Sequence, residues 1–458
     1  MNALLIDFGS TYTKVTLVSL DPPGLVGISR APTTVNTGLL EGLERALAEF
    51  PPDELSKVTV KRACSSAAGG LKVVAIGLVP ELTVKAAREA ALGAGARVVG
   101  AYSYTLTPED IDEIRKLKPD MVLLAGGTDG GDRKAIVENA RMLAEAKLGV
   151  PVVVAGNRAA AGEVVRILEG HAPKVVVTAN VLPELHTLNV EPTRKAIREL
   201  YLSQITKAKG LDIVQEETGL AMPTPLAVMK AGELLHRYFK EEVIVVDVGG
   251  ATTDVHSFGE GLPVESGCIY KGLPEPFAKR TVEGDLGVRV SAAALLETVG
   301  VEGIICSLPF QPEEEDIIEY IRRVSEKTDA LPADQKERQF DQALAIACIR
   351  EALRRHVGSL KEVFTPEGRL WVQQGKDLRR VEVLVGTGGV LVYGDDAARV
   401  LREGLKVGDP LSLVPRSPRL YLDSHYILAA IGLLADDHED VAQALIKETL
   451  KDLGRYNA

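Results

Sequence analysis

The chain of 458 residues has little of what several function classes need. Its four cysteines, Cys64, Cys268, Cys306 and Cys348, lie far apart with no CxxC pair, which excludes a disulfide framework and a zinc site of ordinary spacing and fits a reducing compartment. Aromatics are scarce, with 11 Tyr, 8 Phe and 1 Trp, so base-stacking platforms are not expected. Basic charge is outweighed: the formal net charge is −11, and no basic stripe marks a nucleic-acid partner. The longest apolar run, Tyr426–Ala435, is too short to cross a bilayer, and no membrane association is expected. No basic leader precedes the apolar stretch that opens at Ala3, so the expected location is the cytoplasm. A GxxxxGK[ST] loop is absent, which removes the Walker-type NTPases.

What remains is a length that asks for two or three domains and a pattern of apolar strands alternating with helices, the signature of a largely parallel α/β sheet covered on both faces. Strands are expected at Lys57–Ser65, Leu71–Leu78, Arg97–Tyr102, Asp120–Ala125, Gly149–Gly156 and Lys174–Thr178. Helices are expected at Leu39–Phe50, around Val84–Ala91, at Pro108–Lys118 behind the N-cap Thr107, and at Arg133–Lys147. Residues 192–240 read as mainly helical with a break at 223–225, and 289–357 as a helical stretch interrupted by prolines. Further strands are expected at Pro263–Tyr270 and Arg380–Val385, and closing helices at Ser424–Ala435 and Glu439–Leu453.

Two stretches share one design. In residues 3–20 an apolar strand runs into Asp7, turns at Gly9-Ser10-Thr11 and returns through Thr13 and Lys14. In residues 243–258 an apolar strand runs into Asp247, turns at Gly249-Gly250-Ala251 and returns through Thr252, Thr253 and Asp254. Glycine turns let backbone N–H groups approach an anion, and hydroxyls beside them can cradle a polyphosphate. Asp7, Asp247 and Asp254 offer oxygen ligands, mostly through water, for Mg²⁺. Lys14 can offset phosphate charge, and Asp247 can orient an attacking water or a substrate hydroxyl. A third strand–turn, Gly386-Thr387-Gly388-Gly389, leaves bare backbone for an adenosine. Repetition of the hairpin implies a duplicated architecture, read here as residues 1–240 with an α/β insertion and 241–458 with a helical insertion near 289–357.

The segments IDFGSTYTK, VDVGGATTD and VLVGTGGVL, followed by YLDSHYILAAIGLLA, resemble in order and spacing the ATPase superfamily that includes actin, the hexokinases and the seventy-kilodalton heat-shock chaperones. Within it, ACSSAAGGLKVVAIGLVPELT, LLAGGTDGGD and VVVAGNRAA resemble the MutL-like (GlmL) accessory proteins of glutamate mutase. The resemblance implies a duplicated actin-like fold of two ribonuclease-H-like domains and the cofactors ATP and Mg²⁺. By this likeness Asp7 sits near the metal, and Gly9, Ser10, Thr11, Thr13 and Lys14 serve the first phosphate motif. Asp247 acts on water, while Gly249, Gly250, Thr252 and Thr253 serve the second. Asp254 contacts hydrated metal, and Gly386, Thr387, Gly388 and Gly389 border the adenosine. It further implies slow ATP hydrolysis in a reactivating chaperone for an adenosylcobalamin-dependent mutase, with homo-oligomerisation left open. A small-molecule kinase and a nucleotide-dependent actin-like scaffold are the alternatives on the same fold. Ala251 departs from the third glycine that many members carry.

Other signals read as structural. His425 in DSHYIL lacks the glycine of a cobalamin-ligating DxHxxG and fits a helix cap. His256 fits a packed or surface histidine and Cys64 a small core residue, while AGGTDGGD (125–132) fits a tight strand–helix turn, with an extra anion or partner site as the alternative.

Overall fold

A computed structural model describes residues 1–457 except 10, 35–38, 67–69, 206–217, 266 and 367. The chain divides into two compact units. The first comprises Met1–Ala231, Gly272–Pro276 and Ala429–Ala442. The second comprises Gly232–Lys271, Phe277–Leu428 and Gln443–Ala458.

In the first unit, strands β1 (Asn2–Phe8), β2 (Tyr12–Leu20) and β3 (Pro23–Pro32) form an antiparallel meander, and β4 (Val58–Ser65) runs parallel to β1. All of β1 is buried, which its apolar sequence demands. An insertion then builds a second, wholly parallel sheet from β5 (Lys72–Gly77), β6 (Arg97–Ser103), β7 (Met121–Leu124), β8 (Val152–Val154) and β9 (Val175–Val177), in the order β6-β5-β7-β8-β9. Alternate residues of its strands feed two apolar clusters. Val73, Ala75, Leu123 and Val153 pack against Ala87, Ala91 and Ile197. Val74, Ile76, Val122 and Leu124 pack against Ile114, Ile136 and Val164. Burial on both faces explains why these strands read as unbroken hydrophobic runs. The helix Pro108–Leu117 opens with the expected cap: Thr107 Oγ1 accepts from the Asp110 amide at 3.2 Å while Asp110 accepts from the Thr107 amide at 2.8 Å. The chain returns to the first sheet as β10 (Leu220–Pro223), parallel to β4, and that sheet reads β10-β4-β1-β2-β3.

The second unit repeats the plan. Strands β11 (Val243–Val248) and β12 (Thr253–Phe258) form the hairpin. Then β13 (Cys268–Lys271) leaves the main sheet and β14 (Ala278–Glu283) rejoins it beside β12. Next come the helices Ala292–Ile305, Glu314–Glu326 and Gln335–His356. A hairpin, β15 (Ser359–Thr365) and β16 (Gly368–Gln374), pairs with β13 in a small separate sheet. Strands β17 (Val383–Thr387) and β18 (Arg419–Asp423) run parallel to β11, and β19 (Leu450–Arg455) closes the edge. The main sheet is β14-β12-β11-β17-β18-β19. Its core joins Ile244, Val246 and Val255 to Phe340, Leu344 and Ile349 of the long helix.

Numbered by order of appearance in its own unit, each main sheet begins as a three-stranded meander on strand 1 with strands 4 and 5 added parallel on the other side, the order 3-2-1-4-5. This is the duplicated actin-like, ribonuclease-H-like architecture.

Some local expectations change. The segment 263–270 is a strand only from Cys268, and the break within 192–240 holds the four-residue strand β10. The third glycine motif is not all turn, because Gly386 and Thr387 belong to β17. The helix expected over Ser424–Ala435 spans Leu428–Leu434. The last one stops at Thr449, after which the chain extends as β19.

Candidate functional site

The two hairpins superimpose in register. Asp7 faces Lys14 and Phe8 faces Thr13 in the first, while Asp247 faces Asp254 and Val248 faces Thr253 in the second. Each turn is closed by its first glycine: the Gly9 amide donates to the Tyr12 carbonyl at 3.1 Å and the Gly249 amide to the Thr252 carbonyl at 2.9 Å. A Cβ at Gly9 would stand 2.7 Å from that Tyr12 oxygen, and one at Gly249 2.9 Å from that of Thr252. Glycine is required in both by close approach.

In the first unit Asp7, only 7% exposed, is held from three sides. Lys14 Nζ donates to Oδ2 at 2.9 Å, Thr224 Oγ1 donates to Oδ1 at 2.6 Å, and Cys64 Sγ lies 3.6 Å from Oδ1. Burial, then the Asp7 charge, push the Cys64 thiol well up, so it stays a protonated, weak donor in the core. Thr33 braces the turn: its amide donates to the Thr11 carbonyl at 2.8 Å, its hydroxyl donates to the Gly9 carbonyl at 2.9 Å, and it lies 3.2 Å from the Thr13 hydroxyl. Thr13 is fully buried, whereas Thr11 is exposed. Ser10 lies outside the described residues.

In the second unit the carboxylates of Asp247 and Asp254 stand on paired residues, an arrangement that repels unless a cation intervenes. Arg280, on β14 and 3% exposed, supplies one: its Nε and Nη2 donate to Asp254 Oδ1 at 2.9 and 2.6 Å. Thr252 Oγ1 donates to the other oxygen of Asp254 at 3.1 Å. Asp247 is half-buried at the strand end. Thr253 is buried and its hydroxyl donates to the Leu286 carbonyl at 2.9 Å. Thr13 and Thr253, equivalent in the two hairpins, therefore brace their turns and do not line them. His256 sits behind the sheet, where burial and then Arg280 push its imidazole down to about 3, leaving it neutral.

The third motif lies beside the second, since β17 pairs Gly386 with Val246 and Thr387 with Asp247. Gly388 has φ +104°, and a Cβ there would stand 2.3 Å from the Val248 carbonyl oxygen. Gly389 has open space around it. The Thr387 hydroxyl turns away, donating at 2.9 Å to the buried Asp423. Asp423 in turn accepts from the amides of Ile427 and Leu428, which makes the DSHYIL segment a helix entry.

The loop 125–132 consumes its own polar groups. The buried Asn157 accepts from the Gly130 amide at 3.3 Å and donates to the Gly131 and Asp132 carbonyls at 3.1 and 3.0 Å. Asn180 donates to the Gly127 carbonyl at 3.0 Å. Asp129 accepts from the Arg158 amide at 2.9 Å, at the start of the helix Arg158–Leu168. The supports Thr33, Thr224 and Arg280 carry no sequence signal, because each acts on a motif distant along the chain, and the role of Asn157 shows only where it meets the 125–132 loop.

The donors at the hairpins are hard carboxylate oxygens, the set Mg²⁺ accepts, and Mg²⁺ with a bound polyphosphate needs only one or two of them. Among the described residues no group of three or more His, Cys, Asp or Glu is gathered for a metal, and no helix is long and apolar enough to cross a membrane.

Among solved structures, nucleotide-free acetone carboxylase aligns with a TM-score of 0.39 at 13% identity, covering 94% of this chain and 69% of that one. The activator of 2-hydroxyisocaproyl-CoA dehydratase from Clostridium difficile, with bound ADPNP, aligns at 0.32 and 9% identity over 98% of each chain. Protein MutL of Clostridium tetanomorphum is 44% identical over 460 residues, 98% of both chains. The family described as MutL protein matches residues 3–450, and so the chain belongs to the MutL protein family.

Proposed function

We propose that this protein binds and slowly hydrolyses MgATP, and that the cycle serves a partner enzyme as an accessory protein. The observation that carries the reading is the repeated hairpin, with the same register, the same closing glycine and carboxylates at equivalent strand ends. Thr11 in one hairpin would present its amide and hydroxyl, and Gly250 and Thr252 in the other their amides, to phosphate oxygens, while Gly9 and Gly249, whose amides close the turns, would leave room for the anion by lacking a Cβ. Lys14, now on Asp7, would share its charge with the phosphates. Asp247 would orient the attacking water by accepting its hydrogen bond. Asp7 in the first hairpin, or Asp247 with Asp254 in the second, would offer Mg²⁺ a carboxylate largely through water, and the ion would supply charge neutralisation to the polyphosphate. Gly388 and Gly389 would border the adenosine with bare backbone. Thr13, Thr253 and Thr387 keep a supporting part, since their hydroxyls are already engaged.

The partner we infer is an adenosylcobalamin-dependent mutase of the glutamate mutase type, with ATP used to reactivate it. The resemblance to accessory proteins of that mutase supports this step. Calorimetry with MgATP tests the root: no binding of adenine nucleotide ends the reading. Asp247→Ala is expected to lower turnover about a hundredfold or more while leaving nucleotide affinity within a few-fold. Rescue of an inactivated mutase should require ATP and fail with that variant. Phosphoryl transfer to a metabolite instead of water would move the assignment to a kinase.

A further inference from the structure

Three successive carbonyls of the second turn are tied down from one side by the strap that joins β14 to the helix Ala292–Ile305. The Val288 amide donates to Gly249 O at 3.2 Å, the Arg289 amide to Gly250 O at 2.9 Å, and Ser291 Oγ to Ala251 O at 2.7 Å. In a trans peptide the C=O of one residue and the N–H of the next point in opposite directions. Fixing the carbonyls of 249, 250 and 251 therefore turns the N–H groups of Gly250, Ala251 and Thr252 away from the strap. Among the described residues these three amides meet no acceptor. The strap can lie this close only because position 287 is glycine: a Cβ there would stand 2.6 Å from Gly250 O and 2.7 Å from the Ala251 carbonyl carbon.

What holds the strap is Arg289. Its Nη1 and Nη2 fork onto the two oxygens of Asp341 at 2.8 and 2.6 Å. Tyr320 donates to Asp341 Oδ1 at 2.6 Å, and Ser325 Oγ donates to the Arg289 carbonyl at 3.2 Å. Asp341 lies on the helix Gln335–His356, and Tyr320 and Ser325 on the helix Glu314–Glu326. Such a fork, with most of both side chains out of water, fixes orientation as well as charge. Neither the turn nor the strand pairing specifies this anchor.

We propose that Arg289, seated on Asp341 and Tyr320, is the positioning residue that aims the amides of Gly250, Ala251 and Thr252 at an anion, so that affinity for a polyphosphate at this turn is set by the helical insertion. The proposal rests on the nucleotide reading for the identity of the anion, and on the hydrogen bonds alone for the aiming. Two variants test it in the full chain. Arg289→Lys keeps the charge and loses the fork, and Tyr320→Phe removes one hydrogen bond and keeps the ring in the core. The expected result is MgATP affinity weakened about tenfold in the first and about threefold in the second, with KM rising more than kcat falls. Amide exchange, followed by mass spectrometry without nucleotide, should quicken in peptides covering 247–254 and 284–291 in both. A purely structural part would lower the melting temperature yet leave the affinity of the folded protein and the exchange of 247–254 unchanged, and that result overturns the proposal. Should Arg289→Lys not fold, Tyr320→Phe decides the matter on the same readouts. If the unaltered protein binds no MgATP while exchange still quickens in the variants, the nucleotide reading falls and the positioning stands.

Discussion

At the scale of single residues, the two hairpins differ at one telling pair. The strand position that holds Lys14 opposite Asp7 holds Asp254 opposite Asp247. The first hairpin thus carries its own counter-charge, and the second borrows one from Arg280 on the neighbouring strand. Removing the borrowed cation leaves a shielded carboxylate beside another. Arg280→Gln should cost about 3 kcal/mol by urea unfolding, and pairing it with Asp254→Asn should return much of that loss. Strictly additive losses would mean that Arg280 supports the sheet by packing alone. Asp7, Asp247 and the glycines were legible in the sequence because a turn between apolar strands needs few residues to declare itself. Arg280 and Thr33 were not, since their sequence neighbourhoods show nothing of the turns they reach.

Among elements, the insertion helices and parallel strands were legible from periodicity and caps, as Thr107 shows. The final strand was misread because Leu450 and Leu453, three residues apart, fit a helical spacing and not strand alternation, and only the pairing with β18, with its register shift, extends the segment. The strand β10 is too short to announce itself between helices. The central strand β12 carries a consequence of its own. His256 on it is buried and neutral, with burial and Arg280 lowering its affinity for a proton and Asp254 partly opposing them. His356, at the end of the long helix, is likewise kept neutral by burial and by Lys279, Lys376 and His256, and its ring contacts Thr281 and Ser257 at 2.8 Å. Both folded-state values lie below the ordinary one, so the unfolded chain binds more protons as pH falls. Their contribution to stability is full above about pH 6.5 and drains away as pH drops from there towards 3, the value to which His256 is pushed. His256 Nδ1 has no hydrogen-bond partner among the described residues. His256→Leu should therefore make the fall of urea stability between pH 6.5 and 4.5 shallower by about 1 kcal/mol per pH unit. An unchanged slope would show that this histidine is protonated in the fold.

For the whole molecule, duplication was legible from the repeated hairpin, while the way segments are shared between units was not. Each unit takes pieces from distant parts of the chain, and in the first these are fastened by ion pairs. Lys85 meets Glu275 at 2.9 Å, Arg62 meets Asp437, and Lys230 meets Asp436. Leu273 also enters the core beneath the parallel sheet. A fragment of residues 1–231 is therefore expected to lack the cooperative thermal unfolding of the full chain, followed by circular dichroism. Supplying residues 272–276 and 429–442 on a linker should restore it in part. Full cooperativity in the short fragment would show that the late segments only decorate a finished unit.

This sharing also sets a timetable. During synthesis the first unit waits for Ala429–Ala442, and the residues between Ala231 and Ala429 take roughly ten to forty seconds to add at ordinary elongation rates. Through that interval the surface that later receives the 429–442 segment stands open on a nascent chain, and the first unit is completed only after most of the second has been made.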